Sequence, residues 1–236
     1  MNIVRGASFG AAAAGGLIGA AVTAGLLMFA APQLIGKKMV REAMLADPQI
    51  LVDTADALRD QQYAPTLNTH RAALETPFAS SWKGSAKPDV VLVEFYDYAC
   101  PYCKASNPHV DQLLRENSDL RVVYRELPIL GPDSVVSARL SLAASKAGRF
   151  RQFHDALYAA GRPAPETNAA AARVAAIPPA LEKDVAIEAE LKKNFSLASQ
   201  LGATGTPLFV VGDRVLSGAV GYEALKKAVE DARKKA

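Results

Sequence analysis

The segment Asp89-Val90-Val91-Leu92-Val93-Glu94-Phe95-Tyr96 runs, through Asp97-Tyr98-Ala99, straight into Cys100-Pro101-Tyr102-Cys103. A β-branched and aromatic run that follows Pro88 reads as a buried strand. The residues after Cys103 read as helix to about Asn117. Strand, tight turn and helix in that order put Cys100 at a helix N-terminus. There the unpaired backbone N–H groups and the helix dipole stabilise a thiolate. Pro101 suits the first helical turn, because its missing N–H would have no helical partner. Cys103, one turn further on, is placed to resolve a mixed disulfide made by Cys100.

These are the only two cysteines among 236 residues. A bridge between such close neighbours closes almost no loop, so it removes little entropy from the unfolded chain. Two cysteines and three histidines (His70, His109, His154) exclude a four-cysteine zinc site. Lys104 stands where haem attachment would need a histidine. What stays open is redox chemistry, a buried pair that merely packs, or two thiolates holding a soft ion such as Cu(I). Glu94 is a carboxylate inside the strand, flanked on both sides by apolar and aromatic residues. Burial would raise its pKa and let it accept a proton from the buried thiol; the alternative is a glutamate reaching the sheet edge. His109, in the cysteine helix, and His154, on an amphipathic helix, read as packed or partly exposed residues rather than catalytic ones.

The chain carries 27 basic and 24 acidic side chains, a formal charge of +3, with no block of like charge and no basic stripe interleaved with aromatics. A nucleic-acid partner is therefore not expected. Arg5 is the only charged residue before Lys37, and residues 6–36 form an uncharged stretch of 31. Residues 11–31 are long enough for a membrane-spanning helix. Pro32 after Ala30-Ala31 hinders cleavage there and Met28 spoils the neighbouring site, so residues 1–36 are expected to be an uncleaved anchor in preference to a cleaved signal. Lys37, Lys38 and Arg41 would by charge alone keep the following part cytoplasmic, but long domains translocate largely regardless of that rule. Gly15 and Gly19 form a G-x-x-x-G pair, which in so Ala/Gly-rich a segment arises readily by chance.

Residues 37–62 carry a helical pattern, with Asp47 placed to cap a helix that Pro48 opens. The narrow apolar seam of Val40, Met44, Leu51, Ala55 and Leu58 suits either a spacer or an oligomerisation helix. Residues 63–85, with Pro65, Pro77 and Gly84, read as a linker holding one helical piece at 68–74. Residues 120–126 read as a strand. Val215-Leu216-Ser217 reads as the second arm of a hairpin after Gly212-Asp213, and residues 222–235 as a terminal helix. Between lie mostly helical segments over 133–147, 149–160, 167–177 and 179–201.

The segment Glu94 to Lys104 resembles the active-site segment of the DsbA-type thioredoxin-fold proteins. A second motif carries the same resemblance: Thr204-Gly205-Thr206-Pro207-Leu208-Phe209-Val210-Val211 is similar to their cis-proline loop and the strand that follows. Gly205 and Pro207 independently mark a constrained turn, in which an X-Pro bond can be cis. The resemblance covers residues 87–236. It implies an α/β thioredoxin fold with a helical insertion over about 131–202, preceded by the anchor (1–36) and a helical juxtamembrane region with linker (37–86). It implies a thiol–disulfide oxidoreductase of the bacterial cell envelope, in the periplasm, with no cofactor and no metal. Cys100 would attack or be attacked, with Cys103 and Glu94 assisting. Thr206 and Pro207, with Pro101 and Tyr102, would meet the substrate. Its partners would be proteins with cysteines and a membrane redox protein. Arg125-Glu126-Leu127-Pro128-Ile129-Leu130-Gly131 and the 37–62 helix resemble the ScsC-like, suppressor-of-copper-sensitivity subset, some of which oligomerise through N-terminal helices.

Strongly oxidising relatives carry His between the cysteines, and Tyr102 offers no such cation. A weak oxidant or disulfide isomerase is therefore expected. The alternatives are a dithiol oxidase recharged by a quinone-linked membrane partner and a copper-binding or copper-protective module.

Overall fold

The computed structural model describes residues 36–178 and 184–234. The expected anchor at residues 11–31 lies outside them. Among the described residues no helix is long and apolar enough to cross a membrane. The chain divides into two compact units, Met1–Ala57 and Leu58–Ala236. In the first, residues 36–46 form a helix (α1). Asp47 then starts the next helix, its carboxylate accepting from Gln49 N–H at 3.1 Å, as its place before Pro48 predicts.

That next helix, α2 (Gln49–Glu75), corrects the sequence reading. A linker was expected over residues 63–85, yet the helix runs on through Pro65 and ends only at Glu75. Leu67 and Leu74, seven residues apart on one face, are both buried. Their burial, worth roughly 2 kcal/mol each, offsets much of the penalty of about 3 kcal/mol for an interior proline. The rest of the expected linker contains an edge strand, β1 (Trp82–Gly84). Gly84 has φ +98°, and a Cβ there would strike the Leu120 carbonyl, so only glycine fits this edge.

The remaining elements are β2 (Val90–Tyr96), α3 (Pro101–Glu116), β3 (Leu120–Glu126), α4 (Pro132–Lys146), α5 (Phe150–Ala160), α6 (Pro165–Val174), α7 (Val185–Gln200), β4 (Leu208–Val211), β5 (Arg214–Ser217) and α8 (Gly221–Arg233). The five strands lie in the order β1-β3-β2-β4-β5. Only β2 and β3 are parallel, in register from Val90 opposite Leu120 to Tyr96 opposite Glu126. The others pair antiparallel. Helices α4 to α7 form the expected insertion between β3 and β4.

Side chains alternate across a strand, and this sorts the core into two parts. Leu92 and Tyr96 of β2, Val122 and Tyr124 of β3 and Phe209 of β4 pack with α3, α5 and α8. Val93 and Phe95 of β2, Val123 of β3 and Val210 of β4 pack with Leu67 and Leu74 of α2 and Leu197 and Ala198 of α7. By the same alternation Arg125 shares the face of Val123, and its side chain is 1% exposed. Its Nε donates to Leu74 O at 3.0 Å and its Nη2 to Leu74 O and Thr76 O at 2.9 and 2.7 Å; Ala73 O also accepts. Its Nη1 bonds Glu190 Oε1 and Asn194 Oδ1 of α7, both at 2.9 Å. One guanidinium thus satisfies the open carbonyls at the end of α2, where the helix dipole favours a cation, and neutralises a buried glutamate.

Replacing only one partner of such a pair strands the other. Arg125→Met is expected to lower unfolding free energy by about 3–5 kcal/mol. Adding Glu190→Leu should restore part of that loss. Urea denaturation of both variants checks it; a double variant no more stable than the single one would refute the pairing as the cause.

Candidate functional site

The turn after β2 is built by one aspartate. Asp97 is buried, and its Oδ1 accepts from Ala99 N–H at 2.8 Å, tightening the chain ahead of the first cysteine. Its Oδ2 accepts from Ile129 and Leu130 N–H at 2.8 and 2.9 Å, tying the turn to the loop after β3. Cys100 N–H donates to Asp97 O at 3.0 Å. Cys100 is the N-cap of α3 and Pro101 its first residue, the arrangement expected from the sequence. Tyr102 points outward, 64% exposed.

Both thiols are free. Cys100 is nearly covered and Cys103 wholly so. The Cys100 thiol donates to Thr206 O at 3.2 Å. The Thr206–Pro207 peptide is cis, as the motif resemblance predicted. The Thr206 hydroxyl also lies beside Cys103 and favours its thiolate, without completing a hydrogen bond of ordinary geometry. Thus Cys100, Cys103, Thr206 and Pro207, remote in sequence, meet at one place.

Glu94 belongs to the face of β2 that carries Leu92 and Tyr96, the side on which Cys103 is buried. Its residue is 1% exposed, and neither carboxylate oxygen has a hydrogen-bond partner among the described residues. Burial pushes its pKa from 4.5 up to about 8, against the opposing pull of Lys83. Lys83, on β1, is itself held by Asp155 at 2.6 Å, with Asp111 at 3.8 Å. Burial first, and then the Glu94 charge, push the Cys103 thiol well up. A carboxyl that exchanges its proton near pH 8 thus shares this face with a thiol that burial keeps protonated.

Behind the turn lies a polar cluster that the sequence reading missed. Tyr96 Oη hydrogen-bonds Glu126, which burial holds well above the usual carboxylate range. Tyr98 Oη meets Tyr96 Oη at 3.1 Å and Ser141 Oγ at 2.9 Å. His154, 2% exposed, is enclosed by Tyr124 and Tyr158 at centroid distances of 4.8 and 4.9 Å. Burial keeps its pKa well below 6.5, so it is neutral at pH 7; it is a packed residue, as expected. His109 is half-buried. Among the described residues no group of three or more His, Cys, Asp and Glu side chains could hold a metal ion. Asp97 had a local signal, an aspartate at a turn start. Glu126 had only its place at the end of an apolar strand.

Comparison with known proteins adds three findings. The family model of the DSBA-like thioredoxin domain matches residues 91–230. Two curated proteins, the Na(+)/H(+) antiporters NhaA 1 of Salinispora arenicola and NhaA 3 of Salinispora tropica, are each 31% identical over 158 residues, 64% of this chain. The match spans only 24% of those proteins, about a quarter of their length. Among solved structures, Proteus mirabilis ScsC in a transitional conformation is 28% identical with a TM-score of 0.67, covering 88% of this chain and 97% of its own. A periplasmic thioredoxin-like protein from Salmonella enterica serovar Typhimurium is 29% identical with a TM-score of 0.65, covering 71% and 97%. A thioredoxin-like oxidoreductase from Silicibacter pomeroyi is 35% identical with a TM-score of 0.58, covering 70% and 99%.

The Glu94 shift fixes a pH dependence. A carboxyl at about 8 in the folded state and 4.5 in the unfolded one ionises first in the unfolded chain. Its contribution to stability is therefore whole below about pH 4.5 and lost progressively up to pH 8. Glu94→Gln should leave stability unchanged at pH 4 and raise it by about 2 kcal/mol or more at pH 8. Urea midpoints at the two pH values test this. An equal change at both would mean that Glu94 ionises normally.

Proposed function

This chain belongs to the DSBA-like thioredoxin family, a family of thiol–disulfide oxidoreductases, and we propose that it exchanges a Cys100–Cys103 disulfide with the cysteines of exported proteins, as a disulfide isomerase or weak oxidase in the periplasm. The observation that carries this reading is the unequal pair of thiols. Cys100 caps the helix and bonds Thr206 O at 3.2 Å, while Cys103 is fully covered on the face that buries Glu94.

In the isomerase direction the Cys100 thiolate attacks a substrate disulfide. A Cys100–substrate bond forms as the substrate S–S bond breaks, and the departing sulfur takes a proton. A second substrate thiolate then attacks the mixed disulfide, which returns Cys100 and leaves the substrate rearranged with no net redox change. When that attack is slow, Cys103 displaces the substrate instead. Glu94 accepts the Cys103 proton in that step. Thr206 offers backbone groups to an extended substrate segment, and Pro101, Pro207 and exposed Tyr102 flank it. Tyr102 brings no cation to the thiolate, which favours the less oxidising roles.

Isomerisation gains from several sites around one substrate. Residues 37–62 serve that need by self-association. Met39, Val40, Leu45 and Leu51 of this region are all more than half exposed, and two of them belong to the seam expected from the sequence. The N-terminal segment tethers the protein to the inner membrane, where a membrane redox partner sets the state of the cysteines.

Trapping, refolding and sedimentation experiments test the reading. Cys103→Ser should trap mixed disulfides with cysteine-containing proteins, and the wild-type chain should rescue scrambled ribonuclease. Oxidation of reduced ribonuclease without rescue of the scrambled form would make the protein a simple oxidase. No trapped adducts, together with tight Cu(I) binding by the cysteine pair, would overturn the catalytic reading. Leu45→Lys with Leu51→Lys should lower the sedimentation mass to that of a single chain and cut ribonuclease rescue severalfold. An unchanged mass would remove self-association through this region.

A further inference from the structure

Tyr158 carries a buried hydroxyl that the chemistry above does not use. It belongs to α5 in the helical insertion, and its residue is 8% exposed. The ring is fixed against Tyr98 at 5.1 Å and His154 at 4.9 Å between centroids. It lies in the same core cluster as Cys103. Its Oη has no hydrogen-bond partner among the described residues. Native interiors seldom leave such a group unpaired, so each instance calls for a reason. Three of the other side-chain atoms in this condition, both Glu94 oxygens and Thr206 Oγ1, belong to the same site.

The titratable groups that act most strongly on Tyr158 lie on α3, β2, the cysteine turn and β3. They are Cys103 of α3, Glu94 of β2, Tyr98 of the cysteine turn and Glu126 of β3. Neutral His154 of its own helix and Tyr96, at 6.5 Å, complete the surround. Burial, and then a charge on Cys103 ahead of the others, push the phenol pKa well above 10. The hydroxyl keeps its proton at every working pH, so it can always donate. When Cys103 becomes a thiolate, an anion appears in a fully covered position. Among the described residues the Tyr158 hydroxyl holds no other hydrogen bond that would have to break before it could donate there.

We propose that Tyr158 is a positioning residue for the resolving step, its hydroxyl donating a hydrogen bond to the Cys103 sulfur as that sulfur takes on charge. The inference rests on the thiol-exchange reading above. In the mixed disulfide, Cys100 Sγ is bonded to a substrate sulfur. Cys103 passes its proton to ionised Glu94, and its thiolate attacks Cys100 Sγ. The Cys100–Cys103 bond forms as the Cys100–substrate bond breaks, and the substrate sulfur leaves with the electron pair and takes up a proton. Over both exchanges the substrate disulfide gains two electrons and the protein dithiol loses two. Tyr158 is unchanged at the end.

The test uses the reduced full-length chain and 5,5′-dithiobis(2-nitrobenzoate), which releases one coloured thiolate on attack by Cys100 and a second on resolution by Cys103. The first phase gives a reference rate within each trace. Tyr158→Phe keeps the ring and removes only the hydroxyl. It should slow the second phase about tenfold at pH 7, the size of one hydrogen bond to a charged group, and move the pH midpoint of that phase up by about one unit. Incorporation of 3-fluorotyrosine at position 158 preserves packing and strengthens the donor, so it should move the midpoint down. This second measurement stands even where the phenylalanine variant folds poorly. A second phase in the wild type that neither replacement shifts would overturn the role of Tyr158 alone. Absence of any second phase in the wild type would overturn the exchange reading itself.

Discussion

A guanidinium buried under the sheet holds the architecture together. Arg125 ends the long α2 by taking up its last carbonyls, and it binds α7 through Glu190 and Asn194. Helices from before the sheet and from within the insertion thus converge on one residue of β3. A helix end and a buried carboxylate are each unfavourable alone; one cation satisfies both. The residue that follows is tied in from the same quarter, since Asn194 also donates to Glu126 O at 3.2 Å. From there the chain passes to Ile129 and Leu130, whose amides Asp97 fixes. Helix ends, sheet and cysteine turn are linked by short, fully directional contacts.

The opposite face of the same strands holds the groups that titrate. Glu94 and Glu126 are both buried there without a cationic partner as close as the one Glu190 has, and both are driven toward the neutral acid. A burial that disfavours ionisation weakens the fold near neutrality, yet gives Glu94 an affinity for protons in the range where thiols exchange. Burial of these two acids lowers local stability near neutrality, and the apolar face with α2 and α7 offsets the loss.

What the chain sequence disclosed followed from local chemistry. The strand before Cys100, the proline opening α3, the strand at 120–126, the hairpin and the prolyl turn at 207 were all legible, because each depends on neighbours within a few residues. Pro65 misled for the same reason, since a local breaker outweighed the distant burial of Leu67 and Leu74. Arg125 could not be read, because its partners lie some fifty residues before it and some seventy after. Tyr158 was one aromatic on an amphipathic helix until the fold set it among the same residues as Cys103. Residues 11–31 remain as the sequence presents them, an uncharged stretch long enough to span a bilayer.

The alternation of β2 and β3 also separates two kinds of constraint in descent. A substitution at Val93, Phe95 or Arg125 disturbs the packing against α2 and α7, whereas one at Glu94, Tyr96 or Glu126 disturbs the buried acids and phenols of the other face. The packing against α2 and α7 can therefore be refitted while the titrating face is kept, or that face retuned under an unaltered scaffold. The two properties can evolve as separate traits although their residues alternate along one strand.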